Sequence, residues 1–276
     1  MEKNKKSILI EPTKIDREYL KDLFRFRDLF AFFAMRDIVV RYRQAFFGIA
    51  WALIRPLLTM AVFAMVFGRI ANLPSENVNY YLFVFAGMIP WQLFSNATID
   101  ACNCLINNSQ LITKTYFPRL IIPASQLMVH LVDYAVSIFL MAILLLFSAT
   151  KFSFTLALLP LFFFVLVTLC LGAGLWFSAL TVQYRDFRII VPFLMQFGMF
   201  LSPVGYGTFI IPEPLRYLYF LNPMVGIIDG FRWSIFGITY PDIGFSILAS
   251  ILLSFTLLIS GYYYFRRMER TFADKL

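Results

Sequence analysis

The chain has 276 residues, of which 60% are hydrophobic and only 14% charged, with a formal net charge of +8. That balance excludes an ordinary soluble globular domain, and the polar pieces at the two ends are too short to bury a catalytic core of their own. Cys102, Cys104 and Cys170 fall in or beside apolar stretches, with no disulfide-framework or zinc spacing, and read as structural thiols.

Residues 1–18 show no periodicity and read as a loose lead too charged to hold the apolar region of a signal peptide. From Leu20 the pattern changes. Leu23, Phe26, Phe30 and Phe33 recur at intervals of three and four, with Lys21, Arg25 and Asp28 on another face. This predicts an amphipathic helix lying in the membrane interface, either as a plain anchor or also touching a cytoplasmic partner. A basic elbow follows, with Arg36, Asp37, Arg41 and Arg43 ahead of the first apolar run.

Apolar stretches then fill Phe46–Gly68, Tyr81–Ala101, Leu120–Phe147, Phe154–Leu180, Ile189–Ile211 and Ile243–Phe265. A bilayer core about 30 Å thick needs roughly 20 apolar residues per spanning helix. Backbone groups in lipid must be satisfied within the protein, so each stretch is read as a helix. The fold class is an all-α integral membrane protein with six transmembrane helices, the first acting as an uncleaved insertion signal. Pro212–Pro241 is too broken to span and too apolar for a solvated loop. Two short re-entrant helices fit it, since such pieces are tolerated when buried in protein or lining a cavity. The predicted organisation is residues 1–45 as lead and interfacial helix, 46–265 as one six-span domain with its re-entrant region at 212–241, and 266–276 as a tail.

Charge sets the orientation. With the N-terminus in the cytoplasm and six alternating spans, only Lys151, Arg216 and Arg232 of the 24 Lys and Arg residues fall outside, with Arg55 and Arg69 in or at the end of the first span. The positive-inside rule therefore predicts two cytoplasmic termini. The N-terminal charge also suits attraction to anionic lipid. The loops Asn107–Pro118 and Gln183–Arg188 are predicted to be cytoplasmic, the first long enough for a short surface helix.

No GxxxxGK[ST] phosphate loop, HExxH or nucleophilic triad occurs, so neither ATP hydrolysis nor metal catalysis is assigned, and no metal ligands are named. The lone histidine, His130, and Asp133 share a face of the third span. They could relay protons, or join two helices by hydrogen bonding. Arg55, next to Pro56, lies roughly 13 Å into the first span at about 1.5 Å per residue. It either snorkels to the interface or faces an aqueous path, with Asp100 as a candidate partner. Tyr80, Tyr81, Trp91, Phe94, Tyr206, Tyr217, Tyr219, Phe220 and Trp233 gather toward the outer half. They form either ordinary interfacial belts or an aromatic duct along which a glycan slides.

Several runs resemble the permease subunits of ABC exporters for O-antigen, capsule and teichoic-acid polymers, most strongly the O-antigen exporters. They are Arg36-Asp37…Arg41-Tyr42-Arg43-Gln44…Gly48…Trp51…Pro56-Leu57-Leu58, Phe85-Ala86-Gly87…Pro90-Trp91, Asn108…Leu111-Ile112-Thr113-Lys114…Tyr116-Phe117-Pro118-Arg119, Tyr184-Arg185-Asp186, Leu201-Ser202-Pro203-Val204 and Asn222-Pro223-Met224…Gly230-Phe231-Arg232. The likeness runs from about Ile8 to the tail. It implies a homodimer in the bacterial inner membrane, working with two separate ATPase subunits that bind ATP and magnesium. It implies a lipid-linked polysaccharide moved outward between two copies, with no nucleic acid and no cofactor on this chain. It makes Leu111, Lys114, Tyr116, Phe117 and Arg119 the element coupling to the ATPase, and the re-entrant pair the closure of the outer mouth. Arg55 departs from the pattern, where an uncharged residue is expected. The competing readings are an ABC permease for a drug or small lipid, a membrane-embedded glycosyl- or acyltransferase, and a proton-driven carrier using His130 and Asp133.

Overall fold

The computed structural model describes residues 16–43, 50–75, 78–148, 154–239 and 242–275. The N-terminal lead, the first residues of the expected first span and the Lys151 turn lie outside the described residues.

Two helices come first, α1 (Asp16–Arg25) and α2 (Arg27–Arg43). Leu23, Phe26 and Phe30 pack half-buried beside buried Phe33, while Phe24 and Phe32 are exposed. The basic elbow is a difference. Residues 36–43 continue α2 as regular helix, because their side chains pair with helices packed against them, as described below.

α3 (Ala50–Phe63) continues as π-helix to Ile70. α4 (Tyr80–Asn107) starts where the Asn79 side chain accepts the Tyr81 amide at 3.0 Å, a capping bond that satisfies one orphan donor. The short α5 (Ser109–Lys114) fills the predicted loop helix. α6 (Ile121–Phe147) follows, and then a 3₁₀ turn (Phe154–Leu158) leads into α7 (Leu159–Gln183). The last long helix is α11 (Ile243–Glu269), with a final turn, α12 (Phe272–Lys275). Among the described residues, five helical stretches are long and apolar enough to cross a membrane: Leu53–Ile70, Tyr80–Asn107, Ile121–Phe147, Phe154–Gln183 and Ile243–Glu269.

The expected fifth span differs. α8 (Phe187–Phe200) has 14 residues, about 21 Å of helix at 1.5 Å per residue, against about 30 Å of hydrocarbon. Pro203 removes a backbone donor, and the chain turns through residues 201–207 before a 3₁₀ turn at Thr208–Ile210. Two short helices fill the following segment, α9 (Glu213–Tyr219) and α10 (Pro223–Phe236). α10 carries a complete set of start and stop signals. Asn222 caps the Met224 amide, Pro223 opens the first turn, and Gly237 ends it in the left-handed region at φ 72°.

α4 is the central post, packed by α3, α6, α7, α8 and α10. One core joins Phe83, Val84, Met88, Leu166, Leu169 and Phe231. A second, at the α5 end of the bundle, joins Phe33 with Leu105, Ile112, Phe117, Phe265 and Phe272.

Candidate translocation and coupling elements

At the α9–α10 end, a cavity of about 560 Å³ opens between α4, α8 and α9. Trp91, Phe94 and Tyr219 line it, together with aliphatic groups such as Leu194, Leu201 and Leu215. The other aromatic candidates take separate places. The Tyr80 hydroxyl donates to the Gly205 carbonyl at 2.5 Å, and Tyr81 is exposed. Tyr206 lies beside the cavity, accepting from the Tyr219 hydroxyl at 3.0 Å and donating to the Phe200 carbonyl at 3.0 Å. Tyr217 and Phe220 pack on Phe245 of α11. Trp233 meets Phe162 edge-on. The nine do not share one surface, since most are consumed in packing the short helices onto the bundle.

Below this cavity lies a fully buried cation. Arg232 of α10 is 0% exposed. Its guanidinium donates to the carbonyls of Val204 at 2.8 Å, Tyr206 at 2.8 Å and Phe83 at 3.2 Å, and it sits 3.7 Å from the Phe83 ring centroid. It supplies donors to the non-helical segment after α8, whose carbonyls have no regular helix to bond. One turn earlier on α10, Asp229 accepts from Thr208 at 2.5 Å, fixing the 3₁₀ turn.

A second polar knot joins α2, α4 and α6. Arg41 lies 2.8 Å from Asp133 and 3.5 Å from Asp100. His130 Nε2 meets Asp100 at 2.8 Å, and the Tyr42 hydroxyl donates to Asp133 at 2.5 Å. His130 and Asp133 stand 3.9 Å apart on one face of α6, and each bonds a different neighbouring helix, His130 reaching α4 and Asp133 reaching α2. Asp100 is engaged directly by His130 and Arg41, and the charge of Arg55, whose side chain is exposed on α3, also acts on it. Arg36 pairs with Asp37 at 2.7 Å and reaches Asn108 at 3.2 Å, and Gln126 donates to Asp37 at 2.6 Å. Arg43 is exposed. Arg36, Asp37, Arg41, Asp100, Asn108 and Gln126 border a cavity of about 510 Å³.

The 107–119 loop divides its candidates in two. Lys114 and Tyr116 are exposed, Tyr116 at 51%. Phe117 is 5% exposed with its ring centroid 5.9 Å from that of Phe33. The expectation that both aromatics face a partner is therefore corrected for Phe117, whose apolar ring is already covered by α2. Leu111 is half-buried against the same core. Arg119 also turns inward. Its backbone amide donates to Glu269 Oε1 at 3.0 Å, and its guanidinium to the Glu269 carbonyl. The Tyr19 hydroxyl donates to the same carboxylate at 2.9 Å and Arg266 at 2.8 Å. Burial, reinforced by the Glu269 charge, raises the Tyr19 hydroxyl far above the ordinary phenol range, so it stays a donor.

A family model for the ABC-2 type transporter matches residues 28–236, from the start of α2 to the end of α10. The chain belongs to the ABC-2 type transporter family. Over 261 residues, this ABC-2 chain is 27% identical to the O-antigen export system permease protein RfbA of Myxococcus xanthus, covering 93% of this chain and 98% of the relative. It is 28% identical over 252 residues to the protein of the same name from Klebsiella pneumoniae, covering 90% and 95%. It is 25% identical over 197 residues to the polysialic acid transport protein KpsM of Escherichia coli, covering 71% and 76%.

Sequence reasoning singled out neither Asp229, Glu269 nor Tyr19 of this ABC-2 transporter, and used Arg232 only as an outer charge and part of a motif. A signal existed for the α10 pair: two ionisable residues one turn apart in an otherwise apolar helix. Glu269 carried none, because its partners are far away in sequence.

Proposed function

We propose that this chain is the channel-forming subunit of an ATP-driven exporter that moves lipid-linked polysaccharide of the O-antigen type outward from the cytoplasm. The observation that carries the reading is the match to two O-antigen export permeases over at least 90% of this chain and 95% of theirs. Two copies enclose the path, in the bacterial inner membrane, and two ATPase subunits supply ATP binding and hydrolysis with magnesium. α8 and the turn after it together form the fifth of six crossings, and α9 and α10 are the re-entrant pair at the outer mouth. Both termini, the 107–119 loop and the 183–188 loop face the cytoplasm, with the exposed Lys114 and Tyr116 toward the ATPase. α1 and α2 lie along the inner interface against membrane lipid.

Phe94 and Tyr219 are the aromatic surfaces that meet the passing substrate, because they line the open cavity, with the buried Trp91 forming its wall. Flat aromatic contact retains area without the directional bonds that would hold a sugar chain in place.

The test is surface display of the cognate polymer in a strain lacking its native permease. Co-expression of this chain with its ATPase partner restores display, and neither subunit does so alone. Export of a drug or small lipid by the purified pair, with no polymer displayed, overturns the substrate class.

A further inference from the structure

Glu269 closes the cytoplasm-facing end of α11 in an unusual way. Its carboxylate takes bonds from Tyr19 of α1, from the Arg119 amide at the end of the loop and from Arg266 of its own helix. Its backbone carbonyl takes the Arg119 guanidinium. Arg266 also lies 3.6 Å from the centroid of the Tyr19 ring, closing the cluster. One side chain thus ties three segments that are remote in sequence. Charge-assisted bonds of this kind are stronger and more directional than the apolar contacts around them.

The rest of α11 is fixed differently. A Cβ on Gly226 of α10 would lie 2.3 Å from the Ser246 carbonyl, and the Gly226 amide donates to Ser250 at 3.1 Å. A Cβ on Gly172 of α7 would meet the Leu258 amide at 2.6 Å, and one on Gly261 would meet the Gly172 carbonyl at 2.7 Å. Three backbone-on-backbone contacts leave no room for α11 to slide past α7 or α10. Packed interiors of this density move as bodies rather than deforming.

We propose that Glu269 is a positioning residue for transport: its clamp carries displacement of the 109–119 loop into the rigid α7–α10–α11 unit, and so to α10. This rests on the proposed function for the source of the displacement. Without the clamp the loop still meets the ATPase through Tyr116 and Lys114, but its motion is absorbed locally.

The experiment uses the complex with its ATPase partner. Tyr19→Phe removes one hydroxyl and keeps the ring under Arg266. Glu269→Gln keeps one acceptor oxygen but sets an amide donor against Arg266. Both are expected to retain ATP hydrolysis while polymer exported per ATP falls, about tenfold for Glu269→Gln, the scale of a coupling free energy between two sites. The double variant is expected to be no worse than Glu269→Gln alone, because both act through one clamp. Spin labels at the exposed positions Gln110 and Lys275 give a second reading that needs no transport. Their distance distribution is narrow in the parent and broadened in both variants. Unchanged export per ATP, or an unbroadened distribution, overturns the clamp. If the parent pair exports no polymer, the functional reading falls, and the spin-label distances still decide whether the clamp exists.

Discussion

Replacing Arg232 with Met keeps volume and removes every donor that the guanidinium aims at the turn after α8. The Val204 and Tyr206 carbonyls lie in non-helical chain and receive it at 2.8 Å each. An unsatisfied buried polar group costs about 1–3 kcal/mol. The loss of the Phe83 ring contact at 3.7 Å adds up to about 2 kcal/mol for a desolvated cation–π pair. Against this stands the relief of no longer burying a charge, although removing one partner of a buried charge pair still costs about 3–5 kcal/mol because the other charge is left uncompensated. The Arg232 charge also acts on the Asp229 carboxylate, so Arg232→Met leaves that carboxylate without its counter-charge. Asp229→Asn combined with Arg232→Met is therefore expected to be more stable than Arg232→Met alone. Thermal unfolding in detergent, followed by size-exclusion recovery of monodisperse protein, reads all three. Arg232→Lys is expected to fall between, since one ammonium cannot match a planar fork. A midpoint for Arg232→Met equal to the parent's refutes the reasoning, as does a double variant less stable than the single.

The two loop aromatics are expected to separate. Phe117→Ala lowers stability by about 3–5 kcal/mol through a cavity against Phe33, whereas Tyr116→Ala changes it by less than about 0.5 kcal/mol but weakens stimulation of the ATPase partner; both are read on the same purified complex. Gly226→Ala forces a methyl to within 2.3 Å of the Ser246 carbonyl and is expected to cost about 1–3 kcal/mol as overpacking, measured by thermal midpoint, while Gly244→Ala, with open space around it, is expected to change nothing. Orientation is tested with Gln110→Cys in a cysteine-free background: no labelling by an impermeant reagent from outside intact cells, and full labelling in inverted vesicles.

Much of the fold was legible because lipid imposes it. Long apolar runs marked the five candidate crossings, and for the last four of these the expected start falls within one residue of the helical stretch. The fifth run is harder to read for a physical reason. Leu201, Val204 and Phe209 keep it apolar, so its composition still reads as a span, while Pro203 and the bond geometry around Arg232 decide that it turns. The elbow at 36–43 misled in the opposite direction. Its charges suggested an elbow, yet Arg41, Tyr42 and Asp37 find partners on α4 and α6 and stay helical. Partnership of this kind is beyond spacing rules, since Tyr19 meets Glu269 across nearly the whole chain.

Among the described residues, these buried and half-buried ionic groups fall at junctions. Arg232 joins α10 to α4 and the 201–207 turn, Arg41 with Asp100 and Asp133 joins α2, α4 and α6, and Glu269 joins α1, the loop and α11. In a bilayer, an apolar helix face gains little by leaving lipid for another helix, so apolar packing alone specifies partners weakly. A polar group in the same setting has few acceptable partners and fixes both identity and register. α4 takes part in two of these junctions, through the Phe83 carbonyl and Asp100, about 25 Å apart along its axis at 1.5 Å per residue. It is pinned at two levels and forms the frame. α11 is tied to the loop at one end and to α10 by backbone contact near the other. A chain whose proposed work is movement rather than chemistry thus has its charges where segments must either hold still together or move together.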